Sequence, residues 1–121
     1  MIERIRVRSG HRDELIEVTE QISNRLRAAG VRAGICHVYV PHTTAGVIIN
    51  ENVDPDVCAD MLSWLDKLVP RDAPFRHAEG NSPAHIKASL SGQSATLPIE
   101  SGSLALGTWQ GVYLAEFDGP R

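Results

Sequence analysis

The sequence predicts a single α+β domain, and three observations lead there. Apolar residues recur at helical spacing in segments that open on capping residues. Strand-like apolar stretches lie on both sides of those segments. The last third is divided by glycine turns in the manner of antiparallel strands. A chain of 121 residues holds one core, not two, so the domain spans residues 1–121.

The elements follow in order. Ile5 and Val7 alternate with Arg4 and Arg6, which predicts a short strand over residues 2–7. Residues 15–18 are a second candidate. Thr19 is placed as an N-cap, with Ile22, Leu26 and Ala29 at helical spacing and Gly30 at the C-terminal turn. Residues 35–40 form an apolar strand ending at Pro41, and 47–49 another. Asp54 caps a helix that begins with Pro55, and Val57, Met61, Leu65 and Leu68 mark its apolar face. Ser82 and Pro83 repeat that signal for a short helix reaching about Leu90. Strands are then expected over 94–99, 104–106 and 108–117, turning at Gly102 and Gly107.

Composition excludes several partners. The chain is 42% hydrophobic and 22% charged, an ordinary balance that rules out wholesale disorder. Only 5% of residues are aromatic, too few for a base-stacking platform. The net charge of −3 argues against a nucleic-acid coat or a polybasic membrane binder. Early charges at Glu3, Arg4, Arg6 and Arg8 interrupt any signal-peptide core, and no apolar run approaches membrane length. Cys36 and Cys58 fit neither a CxxC pair nor a disulfide framework. A reduced, cytoplasmic protein is expected.

The chemistry gathers around three histidines. His42 follows a strand end, and His77 and His85 flank a loop that Gly80 allows to double back. With Ser82 as the cap, His85 becomes the third helical residue, where the helix dipole favours the neutral imidazole that binds metals. Three imidazoles with an open position would make a divalent-metal site, with zinc the leading occupant. On spacing alone the ordinary reading wins, because the loop matches neither HExxH nor Cys₂His₂. Glu79, between the two histidines, is either a general acid/base or a solvated loop carboxylate. The helix start at Ser82 offers backbone N–H groups to an anion. Asp54 reads as a cap, while Asp56 and Asp60 share a face open to magnesium. Two motifs fail. The run from Gly102 to Thr108 lacks the P-loop lysine, and no apolar strand precedes Ser82 as a nucleophile elbow requires.

Taken together, the segments resemble the YjbQ family (UPF0047), whose members are described as secondary thiamine-phosphate synthases. The matching stretches are Pro41-His42-Thr43-Thr44-Ala45-Gly46, continuing to Asn50-Glu51-Asn52, and Asp54-Pro55-Asp56-Val57 with Asp60. The loop from His77 to His85 with Ile86 and Lys87 also matches, as do Gly107-Thr108-Trp109-Gln110-Gly111 and the run from Glu116 to Arg121. The resemblance implies an antiparallel sheet curved into a half-barrel with two to three helices, assembled as a homotrimer. It implies a divalent metal, zinc above all, on His42, His77 and His85, with magnesium accompanying a diphosphate substrate. Glu79 and Asn81 take the catalytic role in this reading. Thr43, Thr44, Asn50, Glu51, Ser82, Lys87 and Gln110 take substrate. The implied activity joins hydroxymethylpyrimidine diphosphate to thiazole phosphate and releases pyrophosphate. Such a reaction needs cations near the phosphates, for which Lys87, Arg121 and the helix start at Ser82 are available. A metal-dependent hydrolase or lyase of a small phosphorylated or carboxylated molecule stays open, as does a non-catalytic anion-binding module.

Overall fold

The computed structural model describes all 121 residues. In chain order they form β1 (Glu14–Glu17), α1 (Thr19–Ala29), β2 (Gly34–Tyr39), β3 (Ala45–Glu51), α2 (Pro55–Leu68), α3 (Ser82–Ser91), β4 (Ser94–Glu100), β5 (Ser103–Leu104) and β6 (Gln110–Glu116). The fold is α+β. Its antiparallel strands make two three-stranded sheets, ordered β1-β6-β3 and β2-β4-β5. The sheets meet where β3 leaves the loop after Val40: Val47 N–H donates to the Gly92 carbonyl at 3.0 Å, and Val40 N–H to that of Gln93 at 2.8 Å.

Two apolar clusters fill the interior. Val18, Ile22, Val40, Ala45, Val47, Leu97 and Val112 form the main core between α1 and the sheets. Ala84, Ala88, Ala115 and Phe117 form a second one beneath α3. Small residues bring α3 close to β3 and β6. At Gly46 the approach is closest, since a Cβ there would overlap the Ser91 hydroxyl and the Gly92 carbonyl oxygen.

The helix starts show how local signals fare. Asp54 caps α2 as expected, its Oδ1 accepting the Asp56 N–H at 2.9 Å, with Pro55 first in the helix. Thr19 is no cap: Val18 holds that position, and the Thr19 hydroxyl accepts the Val112 N–H at 2.8 Å, tying α1 to β6. Ser82 is likewise no cap but the first residue of α3. Asn81 precedes it, and its carbonyl accepts the N–H groups of Ala84 and His85 at 3.0 and 3.4 Å. His85 is therefore the fourth helical residue, not the third.

Residues 2–7 form no strand. Their alternation survives as burial, with Ile5 and Val7 packed on the main core and Arg4, Arg6 and Arg8 exposed. The segment joins neither sheet. An ion pair from Glu3 to Arg25 at 3.3 Å and a bond from Ser9 N–H to the Arg121 carbonyl at 2.8 Å hold the segment instead. The strand expected over 104–106 is reduced to Ser103–Leu104 because the chain turns toward Gly107.

Candidate functional site

The head of α3 gathers half of the candidate site residues singled out above: His77, Glu79, Asn81, Ser82, His85 and Lys87. Gly80 takes a left-handed conformation, φ +75°, and its N–H donates to the His77 carbonyl at 3.3 Å. That turn folds the loop back on the helix. His77 and His85 consequently stand edge to face, with ring centres 5.4 Å apart and planes at 86°. Glu79 lies outside them, its Oε2 4.0 Å from His77 Nε2.

Beside the pair is a polar pocket of about 150 Å³, lined by residues that include Arg12, Asp13, Arg71, Glu79, Asn81, Lys87 and Asp118. Asn81 Nδ2 donates to Asp118 Oδ2 at 2.9 Å. Its other polar atom, Oδ1, is buried and has no hydrogen-bond partner. An unmatched buried acceptor costs about 1–3 kcal/mol.

Lys87 is not the free phosphate-binding cation expected of it. Its side chain is 2% exposed and its Nζ is 2.5 Å from carboxylate oxygens of both Asp13 and Asp66. The Lys87 hydrogen bond, aided by Arg71, holds Asp66 below the ordinary carboxylate range. Two carboxylates neutralise the ammonium, so its role is to join α3 to α2 and to the turn before β1. The helix start offers fewer donors than expected of Ser82. Pro83 has no N–H, and those of Ala84 and His85 are bonded to Asn81.

The remaining residues lie along β3. His42 and Thr43 are exposed ahead of that strand, while Thr44 is buried and its hydroxyl accepts Arg121 Nη2 at 2.9 Å. Asn50 and Glu51 end the strand, opposite Gly111 and Gln110 of β6. At strand rise the two groups are roughly 20 Å apart. Gln110 is engaged in its own turn, its Oε1 accepting the Gly107 N–H at 2.8 Å. Glu51 Oε2 accepts the Asp54 N–H at 3.2 Å, and the Glu51 carbonyl takes the Tyr113 hydroxyl at 3.0 Å. Burial, then the Cys58 thiol and the Glu17 and Glu51 carboxylates, push that hydroxyl up to about 12.

Two imidazoles on one tetrahedral zinc have ring centres about 5 Å apart, given Zn–N bonds near 2 Å, and His77 and His85 match that spacing. A third donor is missing. No group of three or more His, Cys, Asp or Glu side chains in the chain is placed to hold an ion. His42 does not join the pair, and no third ligating side chain stands with Asp56 and Asp60. One chain by itself does not fit the three-histidine centre.

Sequence reasoning missed Arg12 and Asp13, which reach the pocket from the turn before β1, and Arg71, which reaches it from the loop after α2. Asp118 was visible only as part of the run from Glu116 to Arg121.

Fold and site thus define a small α+β protein with a polar pocket at the head of one helix. The chain belongs to the YjbQ family: the family model described as UPF0047 protein YjbQ-like matches residues 3–121. Among curated relatives, the UPF0047 protein MJ1081 of Methanocaldococcus jannaschii is 48% identical over 100% of this chain and 88% of its own length. YugU of Bacillus subtilis is 46% identical over 100% and 92%. A crystal structure of a YjbQ/UPF0047 protein from Clostridium acetobutylicum superposes with a TM-score of 0.93 at 50% identity, covering 95% of this chain and 89% of that one. The conserved hypothetical protein TT1486 of Thermus thermophilus gives 0.92 at 41% identity, covering 99% and 93%. No helix is long and apolar enough to cross a membrane.

Proposed function

We propose that the chain is a small-molecule enzyme with the condensing activity its family resemblance implies. That activity joins hydroxymethylpyrimidine diphosphate to thiazole phosphate with release of pyrophosphate. The observation that carries the proposal is the edge-to-face pair of His77 and His85 beside the pocket at the head of α3. Glu79 is exposed next to His77 and free to exchange a proton. Asn81 orients substrate from the pocket wall, and the guanidinium of Arg12 faces phosphate there, a role that Lys87 cannot take.

A homotrimer in the cytoplasm completes the reading. Ile35 and Tyr39 on the unpaired edge of β2 are 71% and 65% exposed, apolar surface that suits a neighbouring copy. Both cysteines are free, in keeping with a reducing compartment. In that assembly His42 of a neighbouring copy is the third donor for a divalent ion on His77 and His85. The ion would be zinc, with magnesium brought by a diphosphate substrate, and would supply electrophilic assistance when bound.

The test is an assay of purified protein with both thiamine precursors, read as pyrophosphate release, alongside wild-type-like folding of a His85→Ala variant. The proposal expects turnover that His85→Ala abolishes. Turnover of phosphoesters or lactones alone would replace it with a hydrolase, and no turnover of anything would leave an anion-binding module. Sedimentation that gives a monomer would overturn the assembly.

A further inference from the structure

The pocket beside the histidine pair carries a balanced set of charges and one unmet hydrogen bond. Its walls hold three cations, Arg12, Arg71 and Lys87, and three carboxylates, Asp13, Glu79 and Asp118. Most of these are committed. Lys87 and Arg71 each pair with Asp13 and Asp66, and Asp118 accepts the Asn81 amide. Arg12 forms no ion pair, and Glu79 touches only His77, at 4.0 Å. The third unmatched group is the buried Asn81 Oδ1. Turning the amide over would not satisfy it, because its oxygen would then face the Asp118 carboxylate.

A free guanidinium asks for an anion, and a buried amide oxygen without a partner asks for a donor. Asp13 and Asp66 match Lys87 and Arg71, so a bare anion would meet one guanidinium beside the carboxylates of Glu79 and Asp118, and a bare cation would meet that guanidinium. We propose that this pocket binds a small zwitterion, one ammonium group and one phosphate or carboxylate on a short carbon chain. The ammonium donates to Asn81 Oδ1 and faces Glu79 and Asp118, and the anionic end pairs with Arg12. The volume, about five waters' worth, suits a molecule of that size. The inference concerns the same pocket and residues as the proposed activity; it is decided by binding, measured without turnover, so failure of the one is distinguishable from failure of the other.

Calorimetric titrations of the full chain with O-phosphoethanolamine, glycine, inorganic phosphate and ethanolamine, at equal ionic strength, test it. Saturable binding of O-phosphoethanolamine or glycine is expected, and which of the two binds identifies the anionic group. Arg12→Gln, an exposed change that spares the fold, should weaken that binding by about tenfold, the loss of one charge-assisted contact. Asn81→Leu should weaken it as well, with folding checked by circular dichroism. Inorganic phosphate binding as tightly as O-phosphoethanolamine would overturn the proposal. So would unchanged affinity in Arg12→Gln, or no saturation by either zwitterion at millimolar concentration.

Discussion

Arg121 grips Glu116 at two points, its Nε 2.9 Å from Oε1 and its Nη2 2.8 Å from Oε2. The same guanidinium donates to the Thr44 hydroxyl at 2.9 Å. Ser9 Oγ donates to Glu116 Oε1 at 2.9 Å, and the N–H groups of Phe117 and Asp118 donate to Oε2 at 3.1 and 3.2 Å. One buried carboxylate thereby joins the N-terminal segment, the start of β3 and the turn after β6. Burial alone would raise its pKa, but Arg121, Ser9 and the Asp118 N–H outweigh burial and hold it below the ordinary range.

Removing the guanidinium should therefore be felt across the fold. Breaking a buried ion pair costs about 3–5 kcal/mol, and water reaching the site lowers that. The Arg121 side chain is 39% exposed against 4% for Glu116, so Arg121→Ala should cost about 2 kcal/mol. Urea denaturation measures it. Arg121→Lys, which keeps the charge but not the fork, should fall between. A loss of only a few tenths would show the pair to be dispensable.

Acid should unfold the protein through two carboxylates, Glu116 and Asp66. Both are held below the ordinary range, Asp66 mainly by its Lys87 hydrogen bond. The unfolded chain binds protons more tightly at these groups than the folded one does. Their stabilisation is thus complete above the unfolded values of about 3.9–4.3 and is lost as pH falls through the depressed folded values. Urea midpoints should be level near neutrality and drop below about pH 4. In Glu116→Gln the protein should be weaker at pH 7 and its acid limb shallower. An acid limb identical to the parent's would exclude Glu116 from the linkage.

What the sequence revealed depended on whether a feature was local. Asp54 and Pro55 could be read because a cap bonds to its own helix. Ser82 misled because Asn81 beside it is an equally good cap former. What separates them is tertiary, the bond of Asn81 to Asp118. The alternation over residues 2–7 was legible, but whether a strand lay beside it was not. His77 and His85 could be joined because one glycine turn lies between them. His42 belongs to another element, and no spacing rule reports where that element ends. The pocket was least legible, since Arg12, Arg71 and Asp118 come from three distant loops.

Lys87 should prove structural. Lys87→Met keeps the stem and removes the charge, leaving Asp13 and Asp66 with Arg71 alone at 3.5 and 3.4 Å. The Asp13 side chain is 10% exposed, so the change should cost about 3 kcal/mol. Adding Asp13→Asn should recover part of the loss, because the stranded carboxylate is then gone. Additive losses in the double variant would deny the coupling.

The last expectation concerns Gly46, where β3 and α3 come closest. Gly46→Ala places a methyl group against the Ser91 hydroxyl and the Gly92 carbonyl oxygen. The serine side chain can turn aside, but the Gly92 carbonyl also accepts the Val47 N–H at 3.0 Å and is backbone. Relief must come from moving α3 as a unit, and overpacking of this kind costs about 1–3 kcal/mol. Against backbone the upper end applies, and adding Ser91→Ala should restore only part of it. Because α3 carries His85 while His77 lies on the preceding loop, the shift should also alter the contact between the two rings. Imidazole NMR signals of both histidines should therefore move in Gly46→Ala, although neither residue is near the substitution in sequence. A stable variant with unchanged histidine signals would mean that α3 does not set the geometry of the pair.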